Sequence, residues 1–433
     1  EYRGQRNGSE DKKYFKPRVH QGVIHQCKDG KLFRFPFGPD GSWINSINFA
    51  PCLSTFIGMR IPFNRPYFTG NEINTMIKAA MAGQISGNGL YTRKCHRLFE
   101  KKFGFRKVLL TTSCTDALEM SALLSGIGPG DEVIVPSFSF VSTANAFVLR
   151  GARIVFADSN PLNPNIDAEK IEELITEKTR VIALVHYAGI ACDMDRIMAI
   201  AGKYNLLVIE DAAHSIDSYY KRKPLGGIGH FGTFSFHETK NIISGEGGAL
   251  VVNEPRFAAR ADIVWEKGTN RVAFKRGEVD KYEWVDVGSS YLPSELVAAI
   301  LHAQFKEIDK IQKRRKEIWH EYDRLLKPLE SAGNIRLPYL PDFATVNGHI
   351  YYLLAENLKT RDKLLNHLNK KGVQAIFHYL PLHNSPFYHD KHDGRELPNA
   401  VGYAERLIRL PFFFELEQKQ IEAVATAVKG FYK

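Results

Sequence analysis

Between residues 107 and 253 the chain alternates between two kinds of hydrophobic pattern. Short apolar runs, rich in aliphatic and β-branched residues and bounded by turn residues, recur at 107–111, 131–136, 152–158, 180–186, 206–211, 233–236 and 249–253. Each reads as a buried strand. Most are separated by stretches with helical spacing, as at 116–124, 167–175 and 193–204. Such alternation predicts an α/β fold: a mixed, mostly parallel seven-stranded sheet with helices on both faces. Beyond it the pattern predicts a long charged helix at 294–327, strand-like 349–354, helical 360–371, strand-like 373–379 and a closing helix at 417–432. These elements suggest a large domain over 59–312 and a smaller C-terminal α/β domain over 313–433.

Residues 1–58 depart from the pattern. They are polar, rich in Gly and Phe, and without a sustained period, as in Phe33-Arg34-Phe35-Pro36-Phe37-Gly38-Pro39. They also lack the uninterrupted apolar core of a signal peptide. We expect an N-terminal extension there, with the natural start at Met59.

Composition narrows the functional class. The 433-residue chain is 44% hydrophobic, and no apolar run reaches the length of a membrane span. Five cysteines without CxxC spacing fit a reducing, cytoplasmic setting and no structural zinc. A net charge of +10 raises nucleic acid as a partner, but the excess is spread out and no nucleic-acid motif accompanies it. A mild basic balance equally suits an enzyme taking phosphorylated, anionic ligands. We therefore expect neither a nucleic-acid nor a membrane partner.

Candidate chemistry gathers between residues 205 and 253. The run 206–211 ends in Glu210-Asp211-Ala212-Ala213-His214, and Lys240 follows 29 positions after Asp211, just past another strand. Ligands of open α/β sheets collect at the carboxyl edge, where both residues would lie. A carboxylate and an amine held there suit pyridoxal 5′-phosphate (PLP). Its aldehyde needs a lysine for a Schiff base, and its ring nitrogen needs an acidic partner. Alone, either residue reads more simply as a surface charge or a helix cap; their joint order makes the case.

Upstream, Thr112-Ser113-Cys114-Thr115-Asp116 marks a strand turning into a helix. This is either a plain N-cap by Ser113 or Thr115 or an anion site. Beside a Schiff-base lysine it becomes a phosphate cradle, to which Ser235 adds a hydroxyl. Of Phe138 and Phe140, one is expected to stack on a flat ring and the other to pack in the core. The histidines His378, His383, His389 and His392 match no ligand spacing, so no metal is expected; some of them line a ligand pocket instead.

With these residues laid out, the chain resembles the DegT/DnrJ/EryC1/StrS sugar-nucleotide aminotransferases, PLP-dependent enzymes of fold type I (aspartate aminotransferase-like). The likeness runs from Ile61 to the C-terminus. It rests on Ser113-Cys114-Thr115, the run 140–147, Val185-His186-Tyr187-Ala188-Gly189, Phe236-His237-Glu238-Thr239-Lys240-Asn241, Lys267-Gly268-Thr269-Asn270-Arg271 and Gly288-Ser289-Ser290-Tyr291-Leu292. The resemblance implies that Lys240 carries the cofactor and that Asp211 pairs with its ring nitrogen. It sets His214 beside the ring hydroxyl, Phe140 over the ring, and Thr115, Asp116 (through its backbone) and Ser235 around the phosphate. Ser290 stands where many members reach across a homodimer with Asn, and Leu292 where they carry Arg. His378, Tyr379 and His383 are assigned to the sugar side. The implied reaction is amination of a keto sugar nucleotide, dTDP-4-keto-6-deoxyglucose, with glutamate as donor. The rivals are an aminotransferase for another keto sugar nucleotide, a dehydratase of the same fold and a non-catalytic regulatory homologue. Dehydratases replace the Schiff-base lysine with histidine, and the set Lys240, Asp211, His214 and Ser235 argues against a regulatory relative.

Overall fold

The structure is a computed structural model that describes residues 60–433; the expected extension over 1–58 and the start at Met59 lie outside the described residues. The apolar runs form strands β1 (Val108–Thr111), β2 (Glu132–Pro136), β3 (Arg153–Ala157), β4 (Thr179–Val185) and β5 (Leu207–Asp211). A short hairpin follows, β6 (Tyr219–Tyr220) with β7 (Lys223–Pro224), and then β8 (Phe231–Ser235) and β9 (Gly248–Val252). The seven longer strands make one sheet in the order β1-β9-β8-β5-β4-β2-β3. Strands β8, β5, β4, β2 and β3 run parallel, and β9 is antiparallel to both of its neighbours. Burial on both faces explains why these strands read as unbroken apolar runs.

Successive strand residues feed opposite faces. Val133 and Val135 pack with the helices Cys114–Leu124, Val141–Val148 and Ala258–Trp265, while Ile134 packs with Ile197 and Ile200 of Met194–Tyr204. A further cluster joins β1 and β9 to Phe99, Phe305 and Ile311. The C-terminal cluster is built on Ile318, Tyr322 and Leu326, with Leu364, Leu368, Ile421 and Val424 against them. It also takes up parts of β10 (Tyr352–Leu354) and β11 (Leu407–Arg409), an antiparallel pair.

Four sequence expectations need correction. Residues 167–175 form two 3₁₀ turns, Ala168–Lys170 and Glu172–Leu174, rather than an α-helix. Their buried Ala168, Ile171 and Leu174 are spaced by three, the period at which 3₁₀ side chains eclipse. The long helix at 294–327 is two, Glu295–Lys306 and Ile308–Ser331, broken at Glu307 where φ is −102° and ψ 9°. The second helix runs through positions 312 and 313 without interruption, so the chain leaves the sheet inside a helix. Strand 349–354 shortens to Tyr352–Leu354. Residues 373–379 form no strand: Val373 and Ile376 make isolated bridges to Ile61 and Arg409, and Tyr379 turns to φ 41°. No helix among the described residues is long and apolar enough to cross a membrane.

Candidate active site

Adjacent residues at the end of β5 face opposite ways. The Glu210 carboxylate accepts from the backbone N–H groups of Gly226 (2.7 Å), Ile228 (2.7 Å) and Gly229 (2.6 Å) and lies 2.9 Å from His186 Nε2. The peptide N–H of Cys192 donates to His186 Nδ1, so Nε2 carries the proton toward Glu210. That network anchors the strand end, and Asp211 is delivered to a cavity of about 470 Å³ at the carboxyl edge of the sheet. Asp211 Oδ2 accepts from Thr143 Oγ1 at 2.7 Å, and Oδ1 from the Ala213 N–H at 3.1 Å. Burial pushes its pKa up, while these two donors and the Lys240 amine pull the other way.

Lys240 enters the same cavity from a loop closed on itself. Phe236 N–H donates to Gly247 O (2.8 Å), Ser244 N–H to Phe236 O (2.8 Å) and Lys240 N–H to His237 O (2.9 Å). The neighbouring Asn241 is tied down by Gln312 Oε1 (2.8 Å), by Asn347 O (3.0 Å) and by His349 Nδ1 (2.8 Å). Burial lowers the Lys240 pKa to about 8, opposed by Cys114 and Asp211 and assisted by Arg409. An amine with a pKa of about 8 is about one-tenth neutral at pH 7, a few hundred-fold more than at its ordinary 10.5, which favours a nucleophile or proton carrier.

The other end of the cavity is built for an anion. Ser113 caps the helix Cys114–Leu124, and Ser113, Thr115, Ser142 and Ser235 all line the wall, with Thr115 Oγ1 2.8 Å from Ser142 Oγ. Gly248 of β9 makes this close approach feasible, since a Cβ there would fall 2.4 Å from the Ser113 carbonyl and 2.5 Å from Cys114 N. Phe140, 55% exposed, lines the cavity, whereas Phe138 is buried against Tyr187, Tyr379 and Tyr403. His214 accepts the Ala188 N–H on Nδ1, and its ring centre lies 4.3 Å from that of His349 at a tilt of 31°; Tyr379 Oη lies 3.5 Å from its Nε2. His378 binds Tyr187 Oη through Nδ1 at 2.6 Å.

Three expected residues stand elsewhere. Asp116 lies off the cavity wall: its N–H is taken by Ser113 Oγ (3.1 Å) and its carboxylate by the Thr112 hydroxyl. Ser290, expected to reach across a dimer, is exposed and forms a β-bridge with Glu266, away from this chain's own cavity. His383 is buried, its Nδ1 2.6 Å from Ser137 Oγ, and does not reach the cavity. Conversely, Thr143, Ser142, Cys114, His349 and Arg409 are part of the site or support it directly, and the sequence reading singled out none of them. Thr143 and Ser142 sit in the 140–147 run already noted; His349 and Arg409 lie in or beside strands of three residues, too short to show a period. Among the described residues no three His, Cys, Asp or Glu side chains converge to hold a metal ion.

A buried carboxylate wanting a cation, a buried amine of depressed pKa and a hydroxyl-rich helix N-terminus share one cavity. This donor set fits PLP, taking its ring nitrogen, its aldehyde and its phosphate respectively. The sequence profile described as the DegT/DnrJ/EryC1/StrS aminotransferase family matches residues 67–429. The chain belongs to that family. It is a PLP-dependent aminotransferase of α/β fold. Its relatives include the spore coat polysaccharide biosynthesis protein SpsC of Bacillus subtilis, 31% identical over 382 residues, 86% of this chain and 97% of SpsC. Among solved structures, the aminotransferase TlmJ of Streptoalloteichus hindustanus superposes with a TM-score of 0.80 at 29% identity, covering 86% of this chain and 99% of TlmJ. The putative sugar aminotransferase Spr1654 of Streptococcus pneumoniae, in its PLP-form, gives 0.78 at 26% identity, covering 86% and 100%.

Proposed function

We propose that this aminotransferase aminates a nucleotide-linked keto sugar with glutamate as donor, for cell-surface polysaccharide. Its specific reaction is conversion of dTDP-4-keto-6-deoxyglucose to dTDP-4-amino-4,6-dideoxygalactose, in the cytoplasm. The observation carrying the sugar reading is the nearly full-length likeness to SpsC, named for polysaccharide biosynthesis; the departures at Ser290 and Leu292 support the narrower assignment.

PLP, when bound, supplies a carbonyl that captures the amine and an electron sink for the carbanion. The chain's own residues do the rest. Asp211, whose charged form is favoured by Thr143 and the Ala213 N–H against the effect of burial, would pair with the ring nitrogen and keep it protonated. Lys240 Nζ takes a proton from the donor carbon and returns it across the site, a task its pKa of about 8 suits. Ser113, Thr115, Ser142 and Ser235 would hold the phosphate, Phe140 would cover the ring, His214 would serve its hydroxyl side, and His378 and Tyr379 would meet the sugar. The enzyme works as a homodimer, a reading supported by exposed Tyr282, Trp284, Val285 and Val287 just before Ser290, the residue expected to reach a partner's site.

The test is incubation with glutamate and a panel of keto sugar nucleotides, with products identified by mass and NMR. Selectivity in kcat/KM for the dTDP 4-keto sugar is expected. Preference for a 3-keto isomer, or for a UDP or GDP sugar, refutes the specific assignment; no amination of any member refutes the sugar reading. Light scattering that shows an active monomer refutes the dimer.

A further inference from the structure

The hydrogen bond between Tyr187 and His378 has only one direction open to it. Tyr187 is 1% exposed, its phenol oxygen lies 2.6 Å from His378 Nδ1, and no other partner reaches that oxygen among the described residues. A buried hydroxyl must give its proton to an acceptor, and Nδ1 is the one in reach. Nδ1 is therefore bare, and in the neutral ring the proton sits on Nε2. Burial favours this arrangement at both ends. It raises the Tyr187 pKa well above its ordinary value and, helped by Arg409 and Lys240, lowers that of His378 well below.

The backbone beside each partner is held in a conformation that side chains rarely adopt. Ala188, next to Tyr187, has φ 58°, and Tyr379, next to His378, has φ 41°. Such strain persists only where the surroundings over-determine it, and it clusters at ligand clamps. Here Asn165 Oδ1 takes the Tyr187 N–H at 2.7 Å, His214 Nδ1 takes the Ala188 N–H at 3.3 Å, and the Tyr187 ring packs against Phe138 and Tyr352. The His378 ring lies on that of Tyr379, centres 3.6 Å apart at 25°. The imidazole is thus held at its edge and on its face. Its Nδ1 faces the protein, the ring lines the cavity, and Nε2 has no partner among the described residues.

Resting on the function proposed above, we infer that Tyr187 is a positioning residue: by occupying Nδ1 it makes His378 present a neutral Nε2–H to the cavity, where it meets a lone pair of an acceptor-sugar oxygen. The neutral donor suits its setting, because an imidazolium would add a third cation to a wall that holds Lys240 and Arg409. It also selects. A sugar hydroxyl can answer either tautomer by turning its proton, whereas a ketone oxygen only accepts and answers this one alone.

The first test needs no cofactor. NMR of the cofactor-free protein with ¹⁵N-labelled histidine reads the tautomer, the His378 signals being those lost in His378→Gln. In the wild type Nδ1 should stay bare and Nε2 protonated from about pH 6 to 8, and Tyr187→Phe should release the ring to a mixed or exchanging state. In the cofactor-loaded enzyme, stopped flow follows each half-reaction by cofactor absorbance. Tyr187→Phe should slow the half-reaction with the keto sugar nucleotide by roughly 3- to 10-fold, the worth of one hydrogen bond, and leave that with glutamate unchanged. His378→Gln keeps an N–H near the Nε2 position and has no Nδ1, so in that background Tyr187→Phe should add nothing. A tyrosine that served packing alone would slow both half-reactions with or without His378. A wild-type His378 protonated on Nδ1, an equal loss in both half-reactions, or an undiminished Tyr187→Phe effect beside His378→Gln overturns the inference. The wild-type spectrum decides even where a variant fails to fold. If the tautomer is fixed as expected but no keto sugar is aminated, the sugar reading fails while the hold of Tyr187 on His378 stands.

Discussion

Replacing Lys240 by methionine should abolish turnover yet make the cofactor-free protein more stable. In the fold the amine falls from its ordinary 10.5 to about 8, mainly through burial. At about 1.36 kcal/mol per pKa unit, that difference sets roughly 3 kcal/mol against the charged form. Water in the open cavity screens part of the charge, so roughly 3 kcal/mol is a ceiling. The folded pKa lies below the unfolded one, so the neutral form is favoured. The resulting stability is fully present above pH 10.5 and is lost as pH falls through about 8. Methionine has nearly the volume of the lysine stem and no charge, so Lys240→Met should gain about 2–3 kcal/mol near pH 7. The gain should shrink as pH rises from 8 to 10.5. The assay is a series of urea titrations of cofactor-free wild type and variant between pH 6 and 10.5. A variant less stable than wild type, or a gain independent of pH, would refute the claim that the site holds this amine against its charge.

Thr143→Val removes the 2.7 Å hydrogen bond to Asp211 Oδ2; bonds to charged groups are worth about 1.5–3 kcal/mol. The Asp211 pKa, already raised by burial, should climb further, moving the acidic limb of the kcat/KM profile to higher pH, and an unmoved limb would exclude this coupling. Gly248→Ala places a methyl 2.4 Å from the Ser113 carbonyl, so the cap of Cys114–Leu124 must shift. Tm should fall with a loss of about 1–3 kcal/mol, and the Kd for PLP should rise; unchanged PLP affinity would show that this wall is not the phosphate cradle.

The strands of the sheet could be read from the sequence because strands buried on both faces must be apolar throughout, and the turns that bound them are chemically distinct. The same logic put Asp211 and Lys240 at one edge, since both follow strands and parallel topology sends all such ends the same way. Local physics failed where the deciding contacts lie far away in sequence. Residues 167–175 carry an apolar spacing compatible with either helix type, and packing under β3 and β4 chose the tighter one. Nothing in the charged pattern at 294–327 marks Glu307 as a break.

The site divided along the same line. Ser113, Thr115, Ser235 and Lys240 sit in local motifs whose chemistry is visible in a few residues. Ser290, carried by resemblance, and His383, taken from the histidine cluster, lie away from the cavity of their own chain. Arg409 and His349 come from the C-terminal part of the chain, more than 100 residues from Lys240, and reach it only because β10 and β11 pair and the helix Ile308–Ser331 turns the chain back toward the sheet. A residue's role in binding depends on which groups surround it once folded. For these residues the neighbours are long-range, so their burial and their partners, which no single stretch of sequence encodes, were decided by the tertiary structure.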